Sequence, residues 1–441
     1  MLSDTIVAIS TALNNSAIAI VRLSGDEAFD IAQEIFDRDL SKHKVNEMIY
    51  GHIVKDGQIL DEVYLVKFSK GRSFTYEDMV EINCHGGVYI TREVLNLCLS
   101  KGARLALRGE FSKRAYLNGR IDLAQAESIN DIINAQNSIQ AKSAIKGISG
   151  SIAKLVDPLL EKIMAMIGMI EVNIDYPEYD DVTIITHEHL VPEVQKWIKE
   201  LEVMIQKAER FRIVKDGLKV AIIGKPNVGK SSLLNALLKK DKAIVTEIAG
   251  TTRDLVEDSV VLDNITLHLI DTAGIREASD VVEKIGIERS LKAIEEADLV
   301  ILLIDASRPR DEEDQRLYEL VKDKKHLVVF NKTDLNDQVK GMKIAAQKGE
   351  IDELLDYFNN LCLSDLSLID EDILNNERQI ALARSSRDTL KEVLKAALNG
   401  VDLDLLSSDL YTAYHDLSMI VGKDYEDDLI DHLFKNFCLG K

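Results

Sequence analysis

The chain has 441 residues, 46% of them apolar and 29% charged, with a formal net charge of −21. That length exceeds a single hydrophobic core, so two to four domains are expected, and the acidity excludes a stand-alone, non-specific nucleic-acid binder. Neither a membrane span nor a signal peptide is expected, because no apolar run is long enough and no basic region precedes the hydrophobic part of MLSDTIVAIS.

Residues 1 to 118 read as mixed α and β. Thr5 to Ser10 and Ala17 to Leu23 predict strands separated by the turn Asn14-Asn15, and Asp26 to Ile35 predicts a helix. Met48 to Val54 and Glu62 to Phe68 predict further strands, and the turn His85-Gly86-Gly87 precedes a helix from Tyr89 to Leu99. Lys101, Arg104, Arg108, Lys113, Arg114 and Arg120 then form a basic run broken only by Glu110, either a solvated charged face or a local RNA contact. Cys84, Cys98, Cys362 and Cys438 lack metal-ligand or disulfide spacing and fit a reducing, cytoplasmic compartment.

From Ile121 to Arg212 the apolar period becomes helical, interrupted by the acidic segment around Pro177, with His189 to Arg212 as a separate helix. Asn375 to Leu398, Ser407 to Val421 and Tyr425 to Phe437 are helical again. Neither block makes a large core alone. The economical arrangement is one discontinuous helical domain, residues 119–214 plus 367–441, with residues 215–366 inserted between its halves.

The inserted segment carries the chemistry. Gly224 to Ser231, GKPNVGKS, follows the apolar strand LKVAII and opens a helix from Ser232 to Leu238. Strand, glycine-rich loop and helix N-terminus aim backbone N–H groups at phosphate, with Lys230 reaching the terminal phosphates and the Ser231 hydroxyl on Mg²⁺. Leu267 to Ile270 predicts a strand running into Asp271-Thr272-Ala273-Gly274, where Asp271 holds magnesium through water and Gly274 offers its N–H to the γ-phosphate. After the strands Leu299 to Ile304 and Leu327 to Phe330 comes Asn331-Lys332-Thr333-Asp334. The Asp334 carboxylate can accept two parallel hydrogen bonds from guanine, a donor pair adenine lacks, so the nucleotide is GTP. Ala345-Ala346-Gln347, after Met342 to Ala345, is a weaker match to the last base-contacting loop.

Gly250 to Asp254, GTTRD, falls where a first switch belongs, with Thr252 as a magnesium ligand when the γ-phosphate is present. Ile275 stands where Ras-type GTPases carry a water-orienting Gln. Glu277 and Glu283 are the carboxylates left to orient water, assisted by a cation in place of an arginine finger.

AIVRLSG at Ala19–Gly25, EINCHGG at Glu81–Gly87, GEFSKRAYLNGRIDLAQAE at Gly109–Glu127, TEIAGTTRD, DTAGIRE with VEKIGIERS, and the terminal CLGK together closely resemble the MnmE/TrmE family of tRNA modification GTPases along essentially the whole chain. The resemblance implies an α+β, folate-binding-like and dimerising domain at residues 1–118, the helical domain above, and a Ras-like P-loop GTPase domain at 215–366. By position it implies GTP contacts at Asn227, Val228, Gly229, Lys230, Ser231 and Ser232; at Thr246, Glu247, Ile248, Ala249, Gly250, Thr251 and Thr252; and at Asp271, Thr272, Ala273, Gly274, Asn331, Lys332, Asp334, Ala345 and Ala346.

It also implies K⁺ beside the phosphates, held by Asn227, Thr246, Ile248 and Thr251 and driving GTPase-domain dimerisation, and it selects Glu283 as the water-orienting residue. A 5-formyl- or 5,10-methylene-tetrahydrofolate is implied at Arg22, Glu81, Arg120 and Lys441, with Arg120 standing where the family usually has Lys. Cys438 is a candidate for a chemical role in the modification. The implied partners are a second copy of the chain, the flavoprotein MnmG (GidA) and tRNA, whose wobble uridine 34 receives an aminomethyl or carboxymethylaminomethyl group at C5. Tyr76 departs from the family pattern, replacing the Gly that usually follows the Thr of a TGED-like segment. The competing reading is a nucleotide-gated RNP assembly factor that modifies nothing.

Overall fold

The structure, a computed structural model, describes residues 4–135, 137–175, 186–239, 258–262, 265–270, 292–363, 366–423, 434 and 440. It divides into two compact units, one of residues 1–136, 144–201 and 381–441, the other of residues 137–143 and 202–380.

The elements begin with β1 (Ile6–Ile9), β2 (Ile18–Ser24), α1 (Ala28–Ile35), β3 (Met48–Lys55), β4 (Gln58–Phe68), β5 (Met79–His85), α2 (Val88–Ser100), β6 (Arg104–Leu105) and α3 (Glu110–Leu117). The helices α4 (Leu123–Asn134), α5 (Ser138–Ile148), α6 (Ser151–Asp175) and α7 (His187–Asp216) follow. Then come β7 (Leu218–Ile223), α8 (Lys230–Lys239), β8 (Asp258–Val261), β9 (Thr266–Ile270), β10 (Leu299–Asp305), α9 (Glu312–Val321), β11 (His326–Asn331), β12 (Met342–Lys343) and α10 (Asp352–Leu363). Helices α11 (Glu377–Leu398) and α12 (Leu403–Val421) complete the series.

In the first unit the sheet runs β3-β4-β5-β2-β1-β6, antiparallel except for the β1–β6 pair. Ile31 and Ile35 of α1 and Val94 and Cys98 of α2 share one apolar core with Val21, Leu23, Leu65 and Ile82 of the strands. β4 starts at Gln58, ahead of the Glu62 expected from composition. Asp56 and Gly57, both at positive φ, make a two-residue hairpin turn that pairs Lys55 directly with Gln58. β5 was not expected at all. MVEINCH is half polar, and its strand character comes from pairing on both sides with β4 and β2.

The basic run is neither an open patch nor a solvated face throughout. Arg114 is only 1% exposed and pairs with Asp4, Glu77 and Glu110 at 2.7, 3.1 and 3.2 Å, while Lys101 pairs with Glu34 and Arg104 with Asp4 and Glu110. These cations hold the domain's own backbone and carboxylates together. Helix α4 starts where Asp122 and Gln125 cap each other reciprocally. Helices α6 and α12 pack together. Ile163, Ile167 and Ile170 mark the buried stripe of one, Leu406, Leu410, Ala413 and Leu417 that of the other.

In the second unit the sheet runs β12-β11-β10-β7-β9-β8 and is parallel apart from β8. Every residue of β10 is buried, as a strand covered on both faces requires. The C-terminal ends of β7, β10 and β11 therefore lie along one edge, where open α/β sheets bind ligands.

Candidate functional sites

The phosphate loop leaves β7 at Gly224 and enters α8 at Lys230. Asn227 takes φ +60 and Gly229 φ +104. A Cβ on Gly229 would lie 2.2 Å from Nδ2 of Asn331, so only glycine lets the loop and β11 approach. Asn331 uses that proximity: its Nδ2 donates to the Val228 carbonyl at 2.8 Å, and its Oδ1 accepts from the Ala346 N–H at 3.0 Å. One buried side chain thus joins the phosphate loop, the guanine motif and the Ala345-Ala346 loop. Lys230 Nζ donates to the carbonyls of Gly224 and Lys225 at 2.6 and 2.9 Å, and burial pushes its pKa down. Ser231 and Ser232 follow in the first turn of α8.

Lys332, at φ +62, donates from Nζ to Asp305 Oδ2 at 2.7 Å. Burial would raise the Asp305 carboxyl, but the hydrogen bonds from Lys332 and Ser307 outweigh it and hold the group below its usual range. Asp334 is 3.4 Å from Lys348.

Sequence reasoning missed one element of this site. Lys225, inside the phosphate loop and 4% exposed, donates to Asp311 at 2.5 Å and Asp314 at 2.9 Å. Those two carboxylates cap α9 reciprocally, so the helix N-terminus and the phosphate loop share one clasp. The hydrogen bond from Lys225 leads the causes that lower Asp311 to about 2, and the same bond leads those that raise Lys225. The available signal was a lysine at a position that the loop pattern leaves open, together with the capping string Asp311-Glu312-Glu313-Asp314.

Thr246 to Thr252, Asp271 to Gly274, Glu277 and Glu283 lie outside the described residues, as do Cys438, Lys441 and most of the helix expected over Tyr425 to Phe437. The structure brings Asn227, Val228, Gly229, Lys230, Asn331, Ala345 and Ala346 to one edge of the sheet.

A second cluster lies in the first unit. Arg22 on β2 and Glu81 on β5 are register partners, and Arg22 Nε and Nη2 donate to Glu81 Oε1 at 2.9 and 2.7 Å. Arg22 Nη1 donates to the Gly440 carbonyl at 3.0 Å, which also accepts from Ser10 Oγ. The Arg120 guanidinium sits 4.8 Å from the Phe74 ring centroid, and that of Arg22 lies 5.9 Å from Phe74 and 5.7 Å from Phe111. Two cations, a carboxylate and two aromatic rings thus converge where the chain's last described residue docks. Nearby, Tyr76 adopts φ +62. Cys84 and Cys98 are free and buried, and burial lifts their thiols to about 11 and about 12, which suppresses thiolate reactivity. Among the described residues no helix is long and apolar enough to cross a membrane, and no cluster of His, Cys, Asp and Glu has metal-binding geometry.

A mostly parallel sheet with GKPNVGKS after the central strand β7 and NKTD at the end of β11, on the far side of β10, defines a Ras-like phosphate-loop GTPase. A family model described as the MnmE helical domain matches residues 123–438, and one described as the GTP-binding protein TrmE N-terminus matches residues 5–120. The tRNA modification GTPase MnmE of Streptococcus pneumoniae strain Hungary19A-6 is 44% identical over 451 residues, covering 99% of each chain. That of Lactococcus lactis subsp. cremoris is 45% identical over 448 residues, covering 99% of this chain and 98% of its own. The chain belongs to the MnmE/TrmE family of tRNA modification GTPases. Among solved structures, Aquifex aeolicus Era bound to GDP and AlF4⁻ is 28% identical, with 39% of this chain and 66% of that one covered and a TM-score of 0.25.

Proposed function

We propose that this chain is a K⁺-dependent GTPase that works with the flavoprotein MnmG on tRNA, adding an aminomethyl or carboxymethylaminomethyl group to C5 of wobble uridine 34. The nucleotide half of the reading is carried by Asn331, whose side chain joins the phosphate loop to the base loop. The tRNA half is supported by membership of the family.

In this reading residues 1–118 are the dimerising domain, residues 119–214 plus 367–441 the helical domain, and residues 215–366 the GTPase domain inserted in the helical domain's sequence. Lys230 and the loop N–H groups hold the phosphates, Ser231 and Thr252 hold Mg²⁺, and Asp334 selects guanine. Asn227, Thr246, Ile248 and Thr251 hold K⁺, and Glu283 orients the attacking water. Hydrolysis then opens and closes the paired GTPase domains.

The Arg22, Glu81 and Arg120 cluster fits a folate. Its rings and guanidinium planes suit stacking on a flat heterocycle, and its carboxylate suits the heterocycle's N–H donors. A bound one-carbon folate would supply the carbon unit, with glycine or ammonium supplying the nitrogen and the MnmG flavin carrying the redox chemistry. Arg22 and Arg120 orient the ligand; the family resemblance adds Lys441 as a further contact and Cys438 as a candidate for the modification chemistry.

The test is mass spectrometry of tRNA from a deletion strain carrying the wild-type gene or Glu283→Ala. Wild type restores the C5 group and Glu283→Ala does not, while the purified variant keeps GTP affinity and loses most turnover. Wobble uridine that is fully modified without the gene overturns the reading in favour of an assembly factor.

A further inference from the structure

A cavity of about 450 Å³ opens on the loop between β10 and α9, in the size range of small-ligand sites. Phe330 and Asn331 are adjacent on β11 and point to opposite faces of the sheet. Asn331 meets the phosphate loop, whereas Phe330 lines this cavity, so the cavity lies on the other face. It persists because the parallel crossover from β11 to β12, residues 332–341, contains no helix to cover that face.

The lining is cationic. Arg308, Arg310 and Lys340 contribute three positive charges against the single carboxylate of Asp305. That carboxylate is already engaged by Lys332 Nζ at 2.7 Å and by the Ser307 N–H and Oγ at 3.0 and 2.6 Å. Arg308 Nε stays 3.9 Å from it, beyond hydrogen-bond reach. Arg310 lies over the Phe330 ring at 5.0 Å, and among the described residues neither Arg310 nor Lys340 has a carboxylate partner. In a chain of net charge −21, such a pocket attracts a small polyanion and repels little.

Its wall is also connected to both ends of the nucleotide site. At one end Asp305 holds Lys332 of the guanine motif; at the other Asp311 and Asp314 hold Lys225 of the phosphate loop. We propose that this cavity is an effector site for a small phosphate-bearing anion, bound by Arg308, Arg310 and Lys340, whose occupancy changes guanine nucleotide residence through Asp305 and the Lys225 clasp. Free pyrophosphate and the terminal phosphates of a nucleotide share this chemistry, and forked guanidinium donors suit both.

The experiment uses the full chain saturated with Mg²⁺ and a fluorescent GDP, so that the phosphate loop is filled. Pyrophosphate is titrated by calorimetry in one arm and ADP in the other, while release of the fluorescent GDP is followed by stopped flow. Saturable binding of pyrophosphate at one site is expected, weakened about tenfold in Arg310→Gln and in Lys340→Gln, with a several-fold change in GDP release rate that both variants lose. ADP binding as tightly as pyrophosphate assigns the site to a nucleotide's phosphates; much weaker ADP binding assigns it to the free anion. The proposal is overturned by absence of saturable binding, by undiminished binding in both variants, or by stoichiometric displacement of the fluorescent GDP, which would put the anion in the phosphate loop. Two substitutions on different segments guard against a folding defect in either.

Discussion

The two sites are built differently. At the nucleotide site, backbone atoms of three loops are drawn together by one asparagine, and the spacing tolerates no Cβ at Gly229. At the Arg22 cluster, side chains from β2, β5 and α3's flank meet over Phe74 and Phe111, and the chain end contributes one backbone carbonyl. The first arrangement fails when geometry is disturbed, the second when charge is disturbed. Substitutions at the two sites should therefore differ in kind as well as size.

The largest effect is expected from Gly229→Ala. The added methyl meets Asn331 Nδ2 at 2.2 Å and the residue must keep φ +104, so guanine nucleotide affinity should fall by about 100-fold or more. A fluorescent-nucleotide titration matching wild type would show that the loop is not pinned by β11.

Arg22→Gln comes next. It removes the paired hydrogen bonds to Glu81 and the bond to Gly440, and should cost about 2 kcal/mol of stability while freeing the C-terminal segment to proteolysis. Protease resistance of that segment equal to wild type would separate the cluster from the chain end.

The clasp gives a pH signature. Asp311 is lowered to about 2, so its contribution is complete above its ordinary pKa near 4 and is lost as pH falls through 2. The gap in urea midpoint between wild type and Lys225→Met should be level above pH 4.5 and shrink between pH 4 and pH 2. A gap that stays level throughout would remove Asp311 from the clasp.

The smallest effect is expected at Tyr76. A left-handed backbone costs an ordinary residue about 1 to 2 kcal/mol, and glycine gives back part of that relief through the greater freedom of its unfolded chain. Tyr76→Gly should raise stability by about 0.5 kcal/mol, read as a small increase in melting temperature. A decrease would mean that the tyrosine ring makes a contact worth more than the strain.

The same contrast explains what was legible in the sequence. GKPNVGKS and NKTD are contiguous strings because a backbone cradle needs neighbouring residues in fixed order, so β7, α8, β10 and β11 were placed to within two residues. The Arg22–Glu81 pair depends on the register of β2 with β5, a strand whose alternation is half polar and went unrecognised, and on a carbonyl 418 positions away. No local spacing carries that information, and only the family resemblance brought those residues together. Lys225 was hidden for another reason. Its partners belong to a helix cap, and capping strings mark where a helix starts without indicating what else their carboxylates hold.

The bond between Arg22 and the Gly440 carbonyl also has a consequence for biosynthesis. At 5 to 20 residues per second a ribosome needs roughly 20 to 80 s to travel the 418 positions between them. During that interval the N-terminal sheet must hold its shape with one guanidinium arm still solvated, so the nascent chain carries an unfinished version of this cluster until translation has passed residue 440.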